Sequence, residues 1–585
     1  MDISNLSEPL PEVHNDKSKE KLWTTTADGS VKLRIDASCP QPPVTVHQMF
    51  LECVDKYGNL NGLSSKKNGV WEHITFLEYY KLCRRAAKSF LKLGLERFHS
   101  VGILGFNAPE WFISAVGTVF AGGITTGIYT TNSGEACHYV ASDCRANIIV
   151  VENQKQLDKI LQIWDKLPDL KAVVQYKGTL QVKRTDLYTW DEFLELGKDI
   201  SEEHLDDIIN SQKPNQCCVL IYTSGTTGNP KGVMLSHDNI TWTAAHASRA
   251  GDMQPAEVQQ ESIVSYLPLS HIAAQIYDMW TGIKWGEHVY FANPDALKGT
   301  LVDTLRETQP TSHMGVPRVW EKIMERIKEA SAQASALKKK MLSWAMSVNL
   351  ERNLSPPRNC GKAVPGCQMK IVNKDSEGNG EICFWGRTVF MGYLNMEDKT
   401  KEVFDEDGWL HSGDIGKMDS DGFLQVTGRI KELIITAGGE NIPPIPIEDS
   451  IKSHLSIVSN AVLIGDRRKF LSMLLTLKCT VDPESMEPMD NLTQEAIRFC
   501  IDAGSRATTV TEIVGQKDQA VYRAIQEGID KVNSEAVSNA QRIQKWTVLP
   551  KDFSISGGEM GPTMKIKRHA ILEKYKDVIE TFYSG

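Results

Sequence analysis

No two of the twelve cysteines in this 585-residue sequence stand in a CxxC spacing. Cys217 and Cys218 are adjacent, and Cys360 and Cys367 lie too far apart for a standard ligand pair. The pattern removes zinc-ribbon and redox-dithiol motifs and reads as reduced thiols in a cytosolic protein. An excess of positive charge is also missing: 65 Lys and Arg face 74 Asp and Glu, for a net charge of −9. That balance excludes a general nucleic-acid binder. The N-terminus, "MDISNLSEPLPEVHNDKSKEKLW", has no apolar h-region and so carries no signal-peptide pattern. The longest uncharged run, Trp111 to Tyr129, approaches the length of a membrane span, but Gly122-Gly123 divide it. A buried helix followed by a buried strand is expected there, which leaves only peripheral membrane contact open. There is no internal repeat and no long low-complexity tract.

A chain of this length exceeds one hydrophobic core, so two or more domains are expected. Its 41% hydrophobic and 24% charged residues are ordinary for a soluble globular protein. Residues 1–45 read as a mobile, proline-containing lead-in. Beyond them, helical apolar spacing in "FLEYYKLCRRAAKSFLKLGL" alternates with short apolar runs such as "SVGILGF", "ITTGIY" and "ANIIVVEN". Alternation of this kind predicts an α/β fold with a largely parallel sheet. An amphipathic stretch from Pro317 to about Asn353 ends at Pro356-Pro357, which stop any helix. "MKIVNKDSEGNGEICFWG" then predicts a β-hairpin. The predicted boundaries are a large unit over 46–428 and a small α+β unit over 429–585, ending in a charged helix after Lys567.

The most concentrated chemistry is "YTSGTTGNPKGVMLSH", from Tyr222 to His237. It follows the strand-length run "CCVLIY", and a short strand, "VMLS", resumes after it. "SHDNI" offers Ser236 or Asp238 as a helix N-cap. Glycines let backbone N–H groups converge on an anion, and hydroxyl groups add donors. Thr223, Ser224, Gly225, Thr226, Thr227 and Gly228 are thus candidate phosphate contacts, with Lys231 as a point charge. A Walker A loop ends in Gly-Lys-Ser/Thr and enters a helix. Here Gly232 and a strand follow Lys231, so the helix dipole plays no part.

This loop resembles the phosphate loop of the adenylate-forming superfamily, which holds acyl-CoA synthetases, luciferases and peptide-synthetase adenylation domains. Further matches stand in the family's order. "YLPLSHIAAQ" is similar to the acyl-pocket motif, with His271 beside the carboxyl-binding region. "GVPRVWEKI" is similar to the long-chain branch. "GWLHSGDIG" matches the ribose motif, with Asp414 as the acid. "GRIKELIITAGGENI" matches the interdomain hinge motif, with Arg429 a ribose contact and Lys431 the hinge. "GPTMKIKR" matches the catalytic-lysine motif, with Lys565 in that place. "ITAGGENIPPIPIE" and "LSMLLTLKC" most resemble the bubblegum-type acyl-CoA synthetases.

The resemblance, over about residues 45–585, implies a large adenylation domain and a small, mobile C-terminal domain. It implies a long-chain fatty acid–CoA ligase that uses ATP, Mg²⁺ and coenzyme A, with Thr227 a metal contact. It implies cytoplasmic action and no nucleic-acid partner, and leaves the oligomeric state open. One family element is absent: a Tyr-Gly-x-Ser/Thr-Glu signature, whose ring stacks on adenine and whose glutamate helps hold magnesium. The only Tyr-Gly pair, Tyr57-Gly58, lies far upstream. An internally shortened chain is therefore expected, with its join near Leu354 to Asn359. Loss of a hard oxygen ligand and of sheet strands predicts little or no synthetase activity and exposed apolar neighbours. The alternative function is a fatty-acyl or nucleotide-binding protein without turnover.

Overall fold

The computed structural model describes residues 21–584, apart from 224–228, 251–252, 297–299, most of 317–359, 483–484, 486 and 562–563. The first strands, β1 (Asn61–Lys67) and β2 (Val70–Thr75), form an antiparallel hairpin. Thr75 ends the hairpin and starts the helix Phe76–Lys92 through a capping box with Glu78. Next come β3 (Ser100–Leu104), β4 (Ile124–Ile128) and β5 (Ala146–Val151). Every residue of these three strands is buried, as expected for parallel strands covered on both faces. They are followed by β6 (Ala172–Gln175), β7 (Leu187–Thr189), β8 (Cys217–Thr223) and β9 (Lys231–Ser236).

The uncharged run resolves into the helix Pro109–Phe120 and strand β4, joined through Gly122 at φ +77°. Only glycine takes that left-handed turn freely. Gly117 lets this helix lie against the preceding one, since a Cβ there would sit 2.9 Å from Ala86 Cβ. No helix among the described residues is long and apolar enough to cross a membrane.

Strands β10 (Ser262–Ser265) and β11 (His288–Phe291) join the hairpin in a four-stranded sheet of order β10-β11-β1-β2. The predicted hairpin follows as β12 (Cys367–Val372) and β13 (Gly380–Gly386), antiparallel in register Lys370↔Cys383. The two-residue β14 (Gly392–Tyr393) completes the large sheet, in the order β14-β9-β8-β4-β3-β5-β6-β7. All its pairings are parallel except those of β9 with β8 and β14. Strands β15 (Leu410–Met418) and β16 (Leu424–Arg429) extend the later hairpin into an antiparallel sheet.

The apolar interior falls into separate clusters. Those around the large sheet draw on residues between Val31 and Leu394. Those near the C-terminus draw on Ile434 to Phe582, around the strands Val458–Ile464, Leu471–Leu477 and Ile543–Val548. The charged helix expected after Lys567 is Arg568–Lys574.

Residues 21–45, read from sequence as part of a mobile lead-in, are tied down. Thr24 N–H donates to Met391 O at 2.9 Å and Asn395 N–H to Thr25 O at 2.9 Å, while Val31 and Cys39 are buried. The reason is tertiary: backbone groups more than 350 residues away supply partners that the local sequence does not announce. Strand β10 stays buried at Ile263 and Val264. Thr311 lies along it, donating its N–H to Ser262 O at 3.0 Å. The expected join at Leu354–Asn359 lies outside the described residues.

Candidate active site

Strands β8 and β9 pair from Cys217↔Ser236 to Thr223↔Lys231, so Thr223 and Lys231 flank the glycine loop as a cross-strand pair. Ser224, Gly225, Thr226, Thr227 and Gly228 lie outside the described residues. The loop's exit is braced where Tyr139 Oη donates to Pro230 O at 3.1 Å. Tyr222 Oη donates to Asp143 Oδ2 at 2.6 Å. Of the two candidate caps for the next helix, Ser236 is the cap: its Oγ accepts Asn239 N–H at 3.0 Å. Asp238 is instead buried against Arg387, which also donates to Gln41 O at 2.6 Å.

Lys231 Nζ sits 4.6 Å over the Tyr393 ring. Partial burial lowers its pKa, and the charges of Lys431 and Lys399 lower it further against an opposing Glu402. Lys431 lies in the short turn Ile430–Glu432 directly after β16. The predicted hinge lysine is thus electrostatically coupled to the loop lysine, which concentrates positive charge where a polyanion would sit.

The His271 segment packs at the carboxyl ends of the parallel strands. A Cβ on Gly127 of β4 would come 2.7 Å from Ser270 Cα, so only glycine admits this approach. Open α/β sheets bind ligands at that edge. His271 caps its own short turn, Nδ1 accepting Ala273 N–H at 3.2 Å. Burial, then the nearby Lys565 charge, holds its pKa below the ordinary value, so the imidazole is neutral at neutral pH. The charge of Lys565 thus reaches His271, although 294 positions separate them in the sequence.

Lys565 is exposed on a tight turn in which Met564 N–H donates to Gly561 O at 2.9 Å and Gly561 N–H to Lys565 O at 2.8 Å. Met564 takes φ +59°, a strained setting for a side-chain-bearing residue. Asp414 and Arg429 face each other across β15 and β16, with Arg429 Nε 2.9 Å from Asp414 Oδ1. Both predicted ribose residues are therefore together, already paired.

Sequence reading missed Tyr393 as a platform for Lys231, and a buried network behind the His271 segment. In that network Asn107 Nδ2 donates to Ser265 Oγ at 2.8 Å and to Leu267 O at 2.8 Å, and Ser265 Oγ donates to Asp278 Oδ2 at 2.7 Å. Burial pushes Asp278 up to about 8, so it is largely protonated at neutral pH. It lies in a π-helical turn, Gln275–Trp280, a geometry frequent near functional sites. No local motif marks these residues, because their roles come from partners distant in sequence.

A family model described as AMP-binding enzyme matches residues 54–351, and one described as AMP-binding enzyme C-terminal domain matches residues 431–585. The chain is 59% identical to the long-chain-fatty-acid–CoA ligase ACSBG1 of Rattus norvegicus, covering 97% of this chain and 90% of that protein. It is 59% identical to ACSBG1 of Homo sapiens, covering 97% and 89%. The rat match runs over 645 residues, yet 97% of a 585-residue chain is about 567. About 78 positions of the match therefore face no residue here. The fold is similar to the A-PCP didomain of a carboxylic acid reductase from Segniliparus rugosus in complex with AMP. The TM-score is 0.71 at 16% identity, over 93% of this chain and 82% of that one.

Proposed function

This chain belongs to the AMP-binding enzyme family, among its bubblegum-type long-chain-fatty-acid–CoA ligases, and from that premise we propose that it converts a long-chain fatty acid to its CoA thioester in two steps. In the first, a fatty-acid carboxylate oxygen attacks the α-phosphorus of ATP. A P–O bond forms, the bond to the bridging oxygen breaks, and pyrophosphate leaves from an acyl-adenylate. In the second, the thiol of coenzyme A attacks the acyl carbonyl and AMP departs with the bonding pair, the thiol proton passing to solvent.

The observation that carries this reading is the gathering of lysine charge around one sheet edge: Lys231 feels the charge of Lys431, and the neutral His271 feels that of Lys565. The first pair, with Thr223, Ser224, Gly225, Thr226, Thr227 and Gly228, would hold the departing pyrophosphate. Lys565 would neutralise the carboxylate and the α-phosphate as they approach, and the uncharged His271 would border the acyl carboxyl without competing for it. Preorganised charge of this kind is the main demand of such a transfer. Asp414 would accept bonds from the ribose diol through its free oxygen, with Arg429 orienting it.

The fit for magnesium is poor among the described residues. The one grouping there that could ligate a metal, Glu381, Cys383 and His411, includes sulfur and nitrogen, whereas Mg²⁺ demands hard oxygens. Thr227, the expected contact, lies outside the described residues. We place the reaction in the cytoplasm, at membrane surfaces where long-chain acids collect. The cytoplasmic half of that reading rests on twelve cysteines scattered through a long chain without paired spacing.

The test is acyl-adenylate formation by the purified chain with ATP, Mg²⁺ and palmitate, followed by CoA-dependent release of AMP. Turnover near that of an unshortened relative supports the ligase. ATP binding with no adenylate would overturn it in favour of a binding protein.

A further inference from the structure

Strand side chains two residues apart share a face, so Glu381 and Cys383 of β13 point the same way. The antiparallel register of β13 and β15 sets His411 directly opposite Cys383. Glu381 Oε2 lies 2.8 Å from His411 Nδ1, and Cys383 Sγ lies 3.6 Å from the same nitrogen. One potential ligand atom from each residue falls within 4.8 Å of the others. On the far side of the imidazole, Asp405 Oδ2 is 3.7 Å from Nε2. A carboxylate there orients a histidine whose other nitrogen binds metal.

We propose that Glu381, Cys383 and His411 form a zinc site, completed by a solvent molecule, that opposes nucleotide binding. A carboxylate, thiolate and imidazole suit the borderline-soft, tetrahedral Zn²⁺ and not Mg²⁺ or Ca²⁺. Access is through Glu381 and His411, whose side chains are 16% and 29% exposed. Binding displaces the thiol proton to solvent.

The link to nucleotide runs through Glu381. Between Glu381↔Ile415 and Cys383↔His411 the register shifts, leaving Ser412 to Asp414 as a bulge in β15. The free end of Glu381 holds that bulge: Oε1 accepts Gly413 N–H at 3.1 Å. Gly413 takes φ +71° and directly precedes Asp414. A metal that draws Glu381 toward Cys383 removes this acceptor and loosens the turn that presents Asp414. By linkage, nucleotide bound at Asp414 must weaken zinc by the same factor. This coupling rests on the ribose role proposed for Asp414, whereas zinc binding does not.

The test titrates the full-length chain with Zn²⁺ against a chromophoric chelator, and with Co²⁺ as a spectroscopic probe. One tight equivalent is expected, with a near-ultraviolet thiolate-to-cobalt band. Cys383→Ser should abolish the band and weaken zinc binding by about 10-fold or more. Glu381→Gln, which keeps an acceptor for Gly413, should also weaken zinc. In the unaltered chain Zn²⁺ should lower affinity for a fluorescent ATP analogue, and in Cys383→Ser it should not. Zinc binding or a cobalt band indifferent to both substitutions would overturn the site. Zinc binding through these residues with nucleotide affinity unchanged would overturn the coupling. Loss of ligase turnover alone bears on the proposed function and not on this site.

Discussion

Lys565 stands on an exposed turn, yet its charge is felt by His271, whose segment packs against strand β4. If it neutralises the carboxylate during adenylation, Lys565→Ala should cut ATP–pyrophosphate exchange by about 100-fold or more while leaving ATP binding within a few-fold, since a transition-state donor is lost. A parallel fall in ATP affinity would argue instead for a ground-state contact. The same substitution removes a charge that depresses His271, so the histidine should titrate at higher pH in the variant, readable by NMR of the imidazole. Arg387 makes a different single-residue prediction. It and Asp238 are both buried, and Arg387→Ala would strand the carboxylate. The expected loss is about 3–5 kcal/mol by chemical denaturation. Asp238 looks in sequence like a helix cap; only its burial against a residue 149 positions away reveals an ion pair.

At the scale of elements, the join between the helices Val46–Tyr57 and His237–Ala250 carries a pH dependence. His237 Nδ1 accepts Val46 N–H at 3.2 Å, and burial, with the charge of Arg97, holds the imidazole down to about 3. An unfolded histidine titrates near 6.5, so below that pH the unfolded chain binds a proton that the folded chain refuses. The stability this group contributes is present above pH 6.5 and is lost progressively as pH falls toward 3. The slope is about 1.4 kcal/mol per pH unit. His237→Asn, which keeps an acceptor, should flatten the fall in stability between pH 6.5 and 5 measured by denaturant titration. Much of the element pattern was legible. Strand runs such as "ANIIVV" are apolar but for Asn147 because both faces are covered, and the capping residue Thr75 stands three positions before its Glu78 partner. The pairing of residues 21–31 with residues near 215 and 391 was not, because irregular backbone satisfied from afar leaves no periodicity.

For the whole molecule, the apolar clusters divide between Leu394 and Ile434. We expect a fragment of residues 430–585 to fold alone, with a cooperative thermal transition and a dispersed NMR spectrum, since its buried strands pack among themselves. A fragment without such a transition would mean that the small unit depends on the large sheet. The roughly 78 positions of the rat match that face no residue here belong to this scale too. The sequence showed the shortening through one missing signature, and its effect on turnover is decided by the adenylation assay.

What the sequence determined by itself is the family and the inventory: the glycine loop and the candidate ribose acid, hinge and distal lysine are short, contiguous strings whose chemistry is local. Tertiary structure alone decided which of them meet. Lys231 with Lys431, His271 with Lys565, Asp414 with Arg429, and Glu381 with Cys383 and His411 are each brought together by strand register or by packing of remote segments. Charge interactions fall off with distance in space and are indifferent to distance along the chain, so no local pattern could announce them.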